Sequence, residues 1–401
     1  MFLLFCGTAH AWAVTDTEAK KAEITPATIN KLSEKFFEDA ACTCLKAKYQ
    51  AMSDKALTTA MEKEGMPAFM IDIALKGKNG NWKPYEKEFR IHSYKAYSDA
   101  AYWNRRLSST GGSYMGNPTG IYCDSSEPLY VFVDTDIPAD ATLYFAGCMG
   151  NDIISRAKSG VCLSKGLNII EGKKDALYYV IYTADTKSMT KKLSEWPEIK
   201  IYIEGGVVNG YYDAARKSEK EYVELLNAAT HQHFTVKGGN SLFNFKTSSY
   251  KEVWPSSIER SIAWFDSVTT WQQELMGYCE SVTNGKRNHA PYNLNGGEAI
   301  APSYYNNPNF AIEGNAADAG YANSTPFRTS YNSAECIYNS FHVDHFDMDE
   351  WCVGHECGHN NQGVITLEGG TEVANNLFSN AGRFLFGRNM SVGSPDRKSV
   401  V

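Results

Sequence analysis

The spacing of hydrophobic residues differs between three stretches of the chain. From 14 to 85, apolar positions recur at helical intervals, as at Leu32 and Phe36, and predict a helical segment. From 86 to 206, aliphatic residues alternate with their neighbours, as in Leu-Tyr-Val-Phe-Val at 129–133, and turn residues separate such runs. This alternation predicts a β-rich unit of the sandwich or jelly-roll type.

Helical spacing returns between 207 and 401. A long amphipathic helix is predicted over 258–271, and a short strand is predicted at 336–338. The fold class expected from the three stretches is α+β with several domains: a helical segment, a β-rich unit and a mixed C-terminal domain.

The stretch His-Glu-Cys-Gly-His at 355–359 carries the candidate chemistry. Residues four apart on a helix share a face, so His355 and His359 can offer imidazole nitrogens to one metal ion. Glu356 lies about 100° further round the helix. It is therefore beside the ion, where it can take a proton from a metal-bound water.

A third ligand must follow, because a catalytic Zn²⁺ has three protein ligands and one open position. The metzincin pattern needs Gly and His where this chain has Gln362 and Ile365, which excludes that class. Two carboxylates remain. Glu372, in the first turn of the next predicted helix, is favoured, and Glu368, in the connecting loop, is the weaker candidate. Asn376 shares the face of Glu372 and could hold a histidine N–H.

The residues around the motif resemble one family. G-H-E-C-G-H-N-N-Q at 354–362 and G-G-T-E-V-A-N-N-L-F-S at 369–379 are similar to the enhancin-like, mucin-directed zinc metallopeptidases of the gluzincin group. N-P-T-G-I-Y at 117–122 resembles the start of that family's domain, and the resemblance spans about residues 90 to 380. It implies a zincin-type domain that acts on O-glycosylated, mucin-like protein. The family's zinc ligands and its base fall on His355, His359, Glu372 and Glu356.

Composition excludes some other classes. The net charge of −7, without a long basic run, argues against nucleic acid as a partner. No apolar run reaches the length of a membrane span. The high aromatic content, with 24 Tyr, indicates a tyrosine-rich β core first and glycan contact second.

The N-terminus and the cysteines bear on localisation. Residues 1–13, M-F-L-L-F-C-G-T-A-H-A-W-A, resemble the end of a secretory signal with an A-x-A cleavage site, although the positive n-region is absent. A lipoprotein anchor at Cys6 is less favoured because the bulky Phe5 precedes it. We therefore expect a secreted or cell-surface protein. None of the 10 cysteines forms a C-x-x-C pair, and most are expected to be buried small hydrophobes.

Two other histidine pairs are weaker metal candidates. His342 and His345 flank Asp344 just before the motif, and His231 and His233 form an H-x-H pair. For both pairs a structural or surface role is the preferred interpretation.

The function expected from the sequence is a zinc-dependent endopeptidase in which Glu356 assists the attack of zinc-bound water on mucin-like glycoproteins. The alternatives are a glycoprotein-binding protein with an inactive or incomplete zinc site, and a zinc exopeptidase. The stretch after Phe378 contains no Tyr or His that could stabilise an oxyanion. The metallopeptidase domain over 207–401 is therefore expected to be incomplete, and the oligomeric state is left open.

Overall fold

The computed structural model describes residues 25–276, 305–315, 320–345, 348–363, 365 and 367–385. The predicted signal at 1–13 and the tail after 385 lie outside these residues. The helices of the described part are α1 (Pro26–Phe36), α2 (Ala47–Gln50), α3 (Asp54–Lys63), α4 (Ala68–Asn79), α5 (Glu86–Arg90), α6 (Ala100–Leu107), α7 (Glu219–Ala228), α8 (Thr247–Val253), α9 (Glu259–Leu275), α10 (Ala334–Phe341), α11 (Glu350–Asn361) and α12 (Thr371–Leu385).

The strands of the same part are β1 (Ile91–Tyr94), β2 (Tyr97–Ser98), β3 (Pro118–Cys123), β4 (Leu129–Val133), β5 (Ala141–Met149), β6 (Val161–Cys162), β7 (Gly166–Ile170), β8 (Ala176–Ala184), β9 (Ile199–Glu204), β10 (Val207–Val208), β11 (Tyr212–Asp213), β12 (His233–Lys237), β13 (Ser241–Lys246), β14 (Asn309–Glu313), β15 (Ala322–Thr325) and β16 (Arg328–Tyr331). None of the helices in the described ranges is both long and apolar enough to cross a lipid bilayer.

The first layer of the molecule consists of the helices α1 to α4. Thr25 caps α1 and Pro26 begins it, at a position where the missing N–H of proline costs no hydrogen bond. The apolar faces of these helices enclose a buried cluster that includes the fully buried Leu57. Phe132 and Tyr202, from the sheet behind the helices, complete this cluster. The helical layer is therefore packed onto the sheet.

Two sheets form the next layers. The first has the strand order β1-β9-β4-β7, and the second has the order β10-β3-β8-β5-β6 with β2 beside β8. Side chains alternate as the sequence pattern predicted: along β4, Val131 and Val133 face the second sheet, whereas Phe132 faces the helices. All residues of β8 are buried, because one face of β8 packs on the first sheet and the other on the C-terminal part of the chain.

The third sheet supports the candidate site. Its strand order is β11-β12-β13-β14-β16-β15, so that β15 is an edge strand within the described residues. Leu242 of β13 and Phe310 of β14 share a buried cluster with Tyr179 of β8, which joins this sheet to the preceding one. The long helix predicted over 258–271 is present as α9.

The strand predicted at 336–338 is wrong, because these residues lie in helix α10. Ser333 caps the helix by accepting a hydrogen bond from the N–H of Cys336, which fixes the first turn. Ile337 and Phe341 are both buried, four residues apart, which is helical spacing. Three residues were too few to distinguish this period from that of a strand.

A buried ion cluster joins the helical layer to the first sheet. Glu86 Oε1 accepts hydrogen bonds from Lys76 Nζ and Arg90 Nε, both at 2.9 Å. Arg90 also donates to the carbonyl of Gly205, just after β9, at 2.8 Å. Burial alone would raise the pKa of Glu86, but bonds from Lys76, the backbone of Lys83 and Arg90 lower it to about 2.

Candidate metal centre

Helix α11 carries the two histidines and the glutamate of the sequence motif. Asp349 caps the helix, because its carboxylate accepts a hydrogen bond from the N–H of Cys352 at 3.3 Å. The helix ends before Gly363, which has a positive φ of 47° that favours glycine. The helix thus begins at an acidic cap and ends just before a glycine. His355 and His359 lie on one face of this helix, four residues apart.

Three ligand atoms converge beside this face. The Nε2 atoms of His355 and His359 lie 3.1 Å apart. Glu372 Oε2, from the first turn of α12, lies 2.9 Å from His355 Nε2 and 3.2 Å from His359 Nε2. Among the described residues, these three form the one cluster of metal-ligating side chains. The structure therefore brings together the three predicted ligands, and Glu368 is exposed outside their cluster.

The donor set and its spacing fit one zinc ion. Two nitrogens each about 2.0–2.1 Å from Zn²⁺ in tetrahedral geometry are roughly 3.3 Å apart, close to the separations found here. The side chain of Glu372 is 69% exposed, whereas that of His355 is 9% exposed. The cluster is thus closed toward the protein and open on the side of Glu372, which leaves room for a water or substrate ligand.

Two glycines on α11 allow helix α12 to approach closely. A Cβ at Gly354 would lie 2.9 Å from the carbonyl oxygen of Phe378, and one at Gly358 would lie 2.5 Å from Phe378 Cβ. Both distances are shorter than real Cβ contacts. Asn375 of α12 donates to the carbonyl of His355 at 2.7 Å across the same contact. The close approach brings Glu372 within reach of the histidines.

The orientation of His355 is set by residues on both sides of its ring. Its Nδ1 lies 3.2 Å from the hydroxyl oxygen of Ser379. With the proton on Nδ1 donated to Ser379, Nε2 is left with a free lone pair toward the cluster. Trp351, one turn earlier on α11, stacks on the ring with centroids 4.2 Å apart.

The sequence predicted Asn376 as the hydrogen-bond partner of a metal-binding histidine. In the structure, the residue that faces Nδ1 of His355 is Ser379. Asn376 is half-buried, and in the described part of the chain no hydrogen bond joins it to His355 or His359. Ser379 lies two turns after Glu372, where α12 passes the far nitrogen of His355. The distance between α11 and α12 determines which turn of α12 contacts the His355 ring. This distance cannot be read from the sequence.

Glu356 is buried beside the ligands, with 7% of its surface exposed. Burial, and the nearby charge of Glu372, raise the pKa of Glu356 to about 8, while the charge of Arg328 opposes this rise. Burial and the neighbouring His359 lower the pKa of His355, while Glu372 opposes this change. A buried carboxylate next to the ligands matches the place expected for a general base.

Helix α9 holds α11 from behind. Gln272 Nε2 donates to the carbonyl of Gly354 at 2.8 Å, and its Oε1 accepts from Asn361 Nδ2 at 3.0 Å. Gln272 and Asn361 are both buried, so these bonds fix the helix relative to its support. Neither Gln272 nor Asn361 was predicted as a site residue from the sequence. For Asn361 a signal was present, because it lies in the Asn-Asn-Gln stretch after the motif.

The weaker candidates lie outside the cluster. His342 and His345 each pack against the ring of Tyr338, with centroids 4.9 Å away. His231 Nδ1 accepts from the N–H of His233 at 3.0 Å, and its Nε2 donates to the carbonyl of Asp175 at 3.2 Å, so that the H-x-H pair has a structural setting. Cys357 is buried in the core, as predicted. Of the eight described cysteines, all except Cys44 and Cys162 are buried.

This arrangement of two histidines, a later glutamate and a buried glutamate is similar to that of metallopeptidases that carry their metal on an H-E-x-x-H helix. A family model described as Peptidase M60, enhancin and enhancin-like matches residues 205–389. This part of the chain matches the model of that family, and the resemblance seen in the sequence is confirmed. Membership in a metallopeptidase family implies a catalytic metal.

Solved structures place the fold in the same group. A metallopeptidase from Bacteroides thetaiotaomicron is 26% identical, with a TM-score of 0.74 over 93% of this chain and 58% of its own. A metallopeptidase in complex with Tn antigen is 28% identical, with a TM-score of 0.62 over 77% of this chain and 54% of its own. The chain thus spans between half and two thirds of these relatives.

A more distant structure shows the fold alone. The catalytic domain of ZmpC from Clostridium perfringens, in complex with the sialyl T antigen, is 14% identical, with a TM-score of 0.52 over 74% of this chain and 57% of its own. No curated protein matches the sequence.

Proposed function

We propose that the protein is a secreted zinc-dependent endopeptidase that cleaves peptide bonds in O-glycosylated, mucin-like glycoproteins. The observation that carries the proposal is the convergence of His355, His359 and Glu372 within hydrogen-bonding distance of one another, next to the buried Glu356. Zinc is the metal proposed, because two imidazoles and a carboxylate are the donors of catalytic zinc sites.

Different side chains of the protein have different roles in hydrolysis. His355, His359 and Glu372 hold the metal, which when bound supplies Lewis acidity to a water and to the scissile carbonyl. Glu356 takes the proton of the attacking water and returns it to the leaving amine nitrogen. Trp351 and Ser379 keep the ring of His355 in place during these transfers.

The edge strand β15 is the proposed site for the peptide of the substrate. An edge strand carries unpaired N–H and C=O groups that can pair with an extended chain. β15 lies beside α11, since Asn360 of α11 bonds to Ser324 of β15. The strand predicted at 336–338 is a helix in the structure and therefore offers no such edge.

The glycoprotein part of the proposal is supported by relatives. One similar metallopeptidase has been solved with Tn antigen, and a more distant one with the sialyl T antigen. Secretion is proposed on the basis of the N-terminal sequence alone, which lies outside the described residues.

Metal analysis and digestion of a mucin-type glycoprotein together test the proposal. The wild type should contain one zinc per chain and should produce internal fragments from the glycosylated substrate, with less cleavage of the deglycosylated one. The Glu356→Gln variant should keep the zinc and lose cleavage. Binding without cleavage by the wild type would favour the alternative of a glycoprotein-binding protein, and release of single terminal residues would favour an exopeptidase.

A further inference from the structure

We propose that Asn360, at the end of α11, is a positioning residue that sets the edge strand β15 relative to the metal-binding helix. The inference rests on the proposed function, because β15 matters to catalysis only if an extended peptide pairs with it. Asn360 follows His359 directly, so the residue that holds the strand and one metal ligand occupy consecutive positions of the same helix.

The side chain of Asn360 joins two distant parts of the chain. Its Nδ2 donates to Ser324 Oγ of β15, and its Oδ1 accepts from Thr110 Oγ1, each at 2.8 Å. The backbone carbonyl of Asn360 also accepts from the N–H of Thr110, at 2.8 Å. Asn360 is 3% exposed. These hydrogen bonds are partly shielded from water, which strengthens them.

Thr110 extends this connection to the turn of the β15–β16 hairpin. Its carbonyl accepts from the N–H of Phe327, which lies between the two strands, at 2.6 Å. The next residue, Gly111, fits closely under the helix, because a Cβ there would lie 3.2 Å from Asn360 Cβ. The hairpin is therefore held at Ser324 and at Phe327, and both contacts lead back to Asn360.

The position of β15 decides where a bound peptide presents its carbonyl group to Glu356 and the metal ligands. A displacement of about 1 Å can cost roughly a hundredfold in rate. Weakening the contacts of Asn360 should therefore impair binding of an extended substrate while the metal cluster, which is held by α12 and α9, stays intact. A purely structural residue would lower stability and leave KM unchanged.

Two variants separate the contacts of Asn360, although Ser324 Oγ also donates to the carbonyl of Arg328 at 3.5 Å. Thr110→Val removes the hydroxyl donor to Asn360 at similar size, and Ser324→Ala removes the acceptor on β15. Each should raise KM for an extended peptide by about two- to tenfold, the value of one hydrogen bond, with zinc content and kcat nearly unchanged. Thr110→Ser, which keeps the hydroxyl, should restore KM. Ser109→Ala is the matched control, because Ser109 in the same loop bonds to Asn104 instead.

Two measurements do not depend on turnover. Amide hydrogen exchange over 322–331 should become faster in both variants and stay unchanged over α11. In a Glu356→Gln background, the same variants should weaken binding of the uncleaved peptide by the same factor as KM. Unchanged peptide affinity with faster exchange, or loss of zinc from either variant, would overturn the role assigned to Asn360. A wild type that never cleaves would instead refute the proposed function, and hydrogen exchange would still report on the hairpin.

Discussion

At the scale of single residues, Glu372 is the proposed ligand that comes from a different helix than the histidines. Glu372→Gln should lose most of the bound zinc, because a neutral amide is a much weaker ligand for Zn²⁺ than an anionic carboxylate. Glu368→Gln is the matched control, since Glu368 is an exposed carboxylate four residues earlier. The zinc content of both variants is measured after dialysis. Equal zinc loss from the two variants would mean that the third ligand is assigned incorrectly.

Ser379 offers a second test at this scale. Ser379→Ala removes the acceptor that faces Nδ1 of His355, so the ring loses the partner that fixes its tautomer. Zinc affinity should fall by about 10- to 100-fold, the usual effect of losing such a partner. Competition with a chelator measures the affinity. Asn376→Ala should leave it unchanged, and a larger effect at Asn376 would restore the prediction made from the sequence.

The grouping of the proposed histidine ligands and the proposed base could be predicted from the sequence, because their spacing along a helix determines their relative positions. His355, His359 and Glu356 need nothing more than the 3.6-residue period. The contacts of Ser379 and Trp351 with His355 were not predicted. They depend on the distances of helix α12 and of the Trp351 side chain from the His355 ring. Distances between helices follow from packing, and the periodicity of the sequence does not predict them.

At the scale of elements, the contact between α11 and α12 places Glu372. Gly358→Ala puts a methyl group within 2.5 Å of Phe378 Cβ, so α12 must move outward. We expect destabilisation of about 1–3 kcal/mol and weaker zinc binding. Urea unfolding and zinc titration measure the two effects.

Gly77 of α4 provides the matched control for this substitution. A Cβ there would meet no atom within 4 Å. Gly77→Ala should therefore stabilise the protein by about 0.5–1 kcal/mol through helix propensity, without affecting zinc. A stabilising effect of Gly358→Ala as well would show that the two helices are not in tight contact.

Elements with a long, regular pattern were predicted well, and short ones were not. The alternation along β4 and the helical spacing of α9 extend over enough residues to define a period. The three residues at 336–338 do not, and the cap at Ser333 decides in favour of a helix. The order of the strands in the sheets depends on contacts between distant residues, which the local pattern cannot provide.

At the scale of the whole molecule, the ion cluster around Glu86 joins the helical layer to the first sheet and predicts acid sensitivity. The pKa of Glu86 is lowered from 4.5 to about 2 in the folded protein. The ionised carboxylate therefore stabilises the fold above pH 4.5, and this contribution, on the order of 2–3 kcal/mol, is lost as the pH falls toward 2.

Urea unfolding at a series of pH values tests this. Glu86→Gln should be less stable than the wild type at neutral pH, and its stability should fall less steeply between pH 4.5 and 2. Identical slopes for the two proteins would mean that Glu86 does not contribute to the acid sensitivity.

The strand β8, buried on both faces, has a practical consequence for shortened versions of this protein. The family model begins at residue 205, after β8. A fragment cut there would leave Leu242 and Phe310 without the side chain of Tyr179 that covers them. Each large apolar side chain returned to water costs about 1.5–3 kcal/mol. Such a fragment should be recovered from inclusion bodies, whereas one that starts before α1, and so keeps the helical layer over Phe132 and Tyr202, should stay in the supernatant.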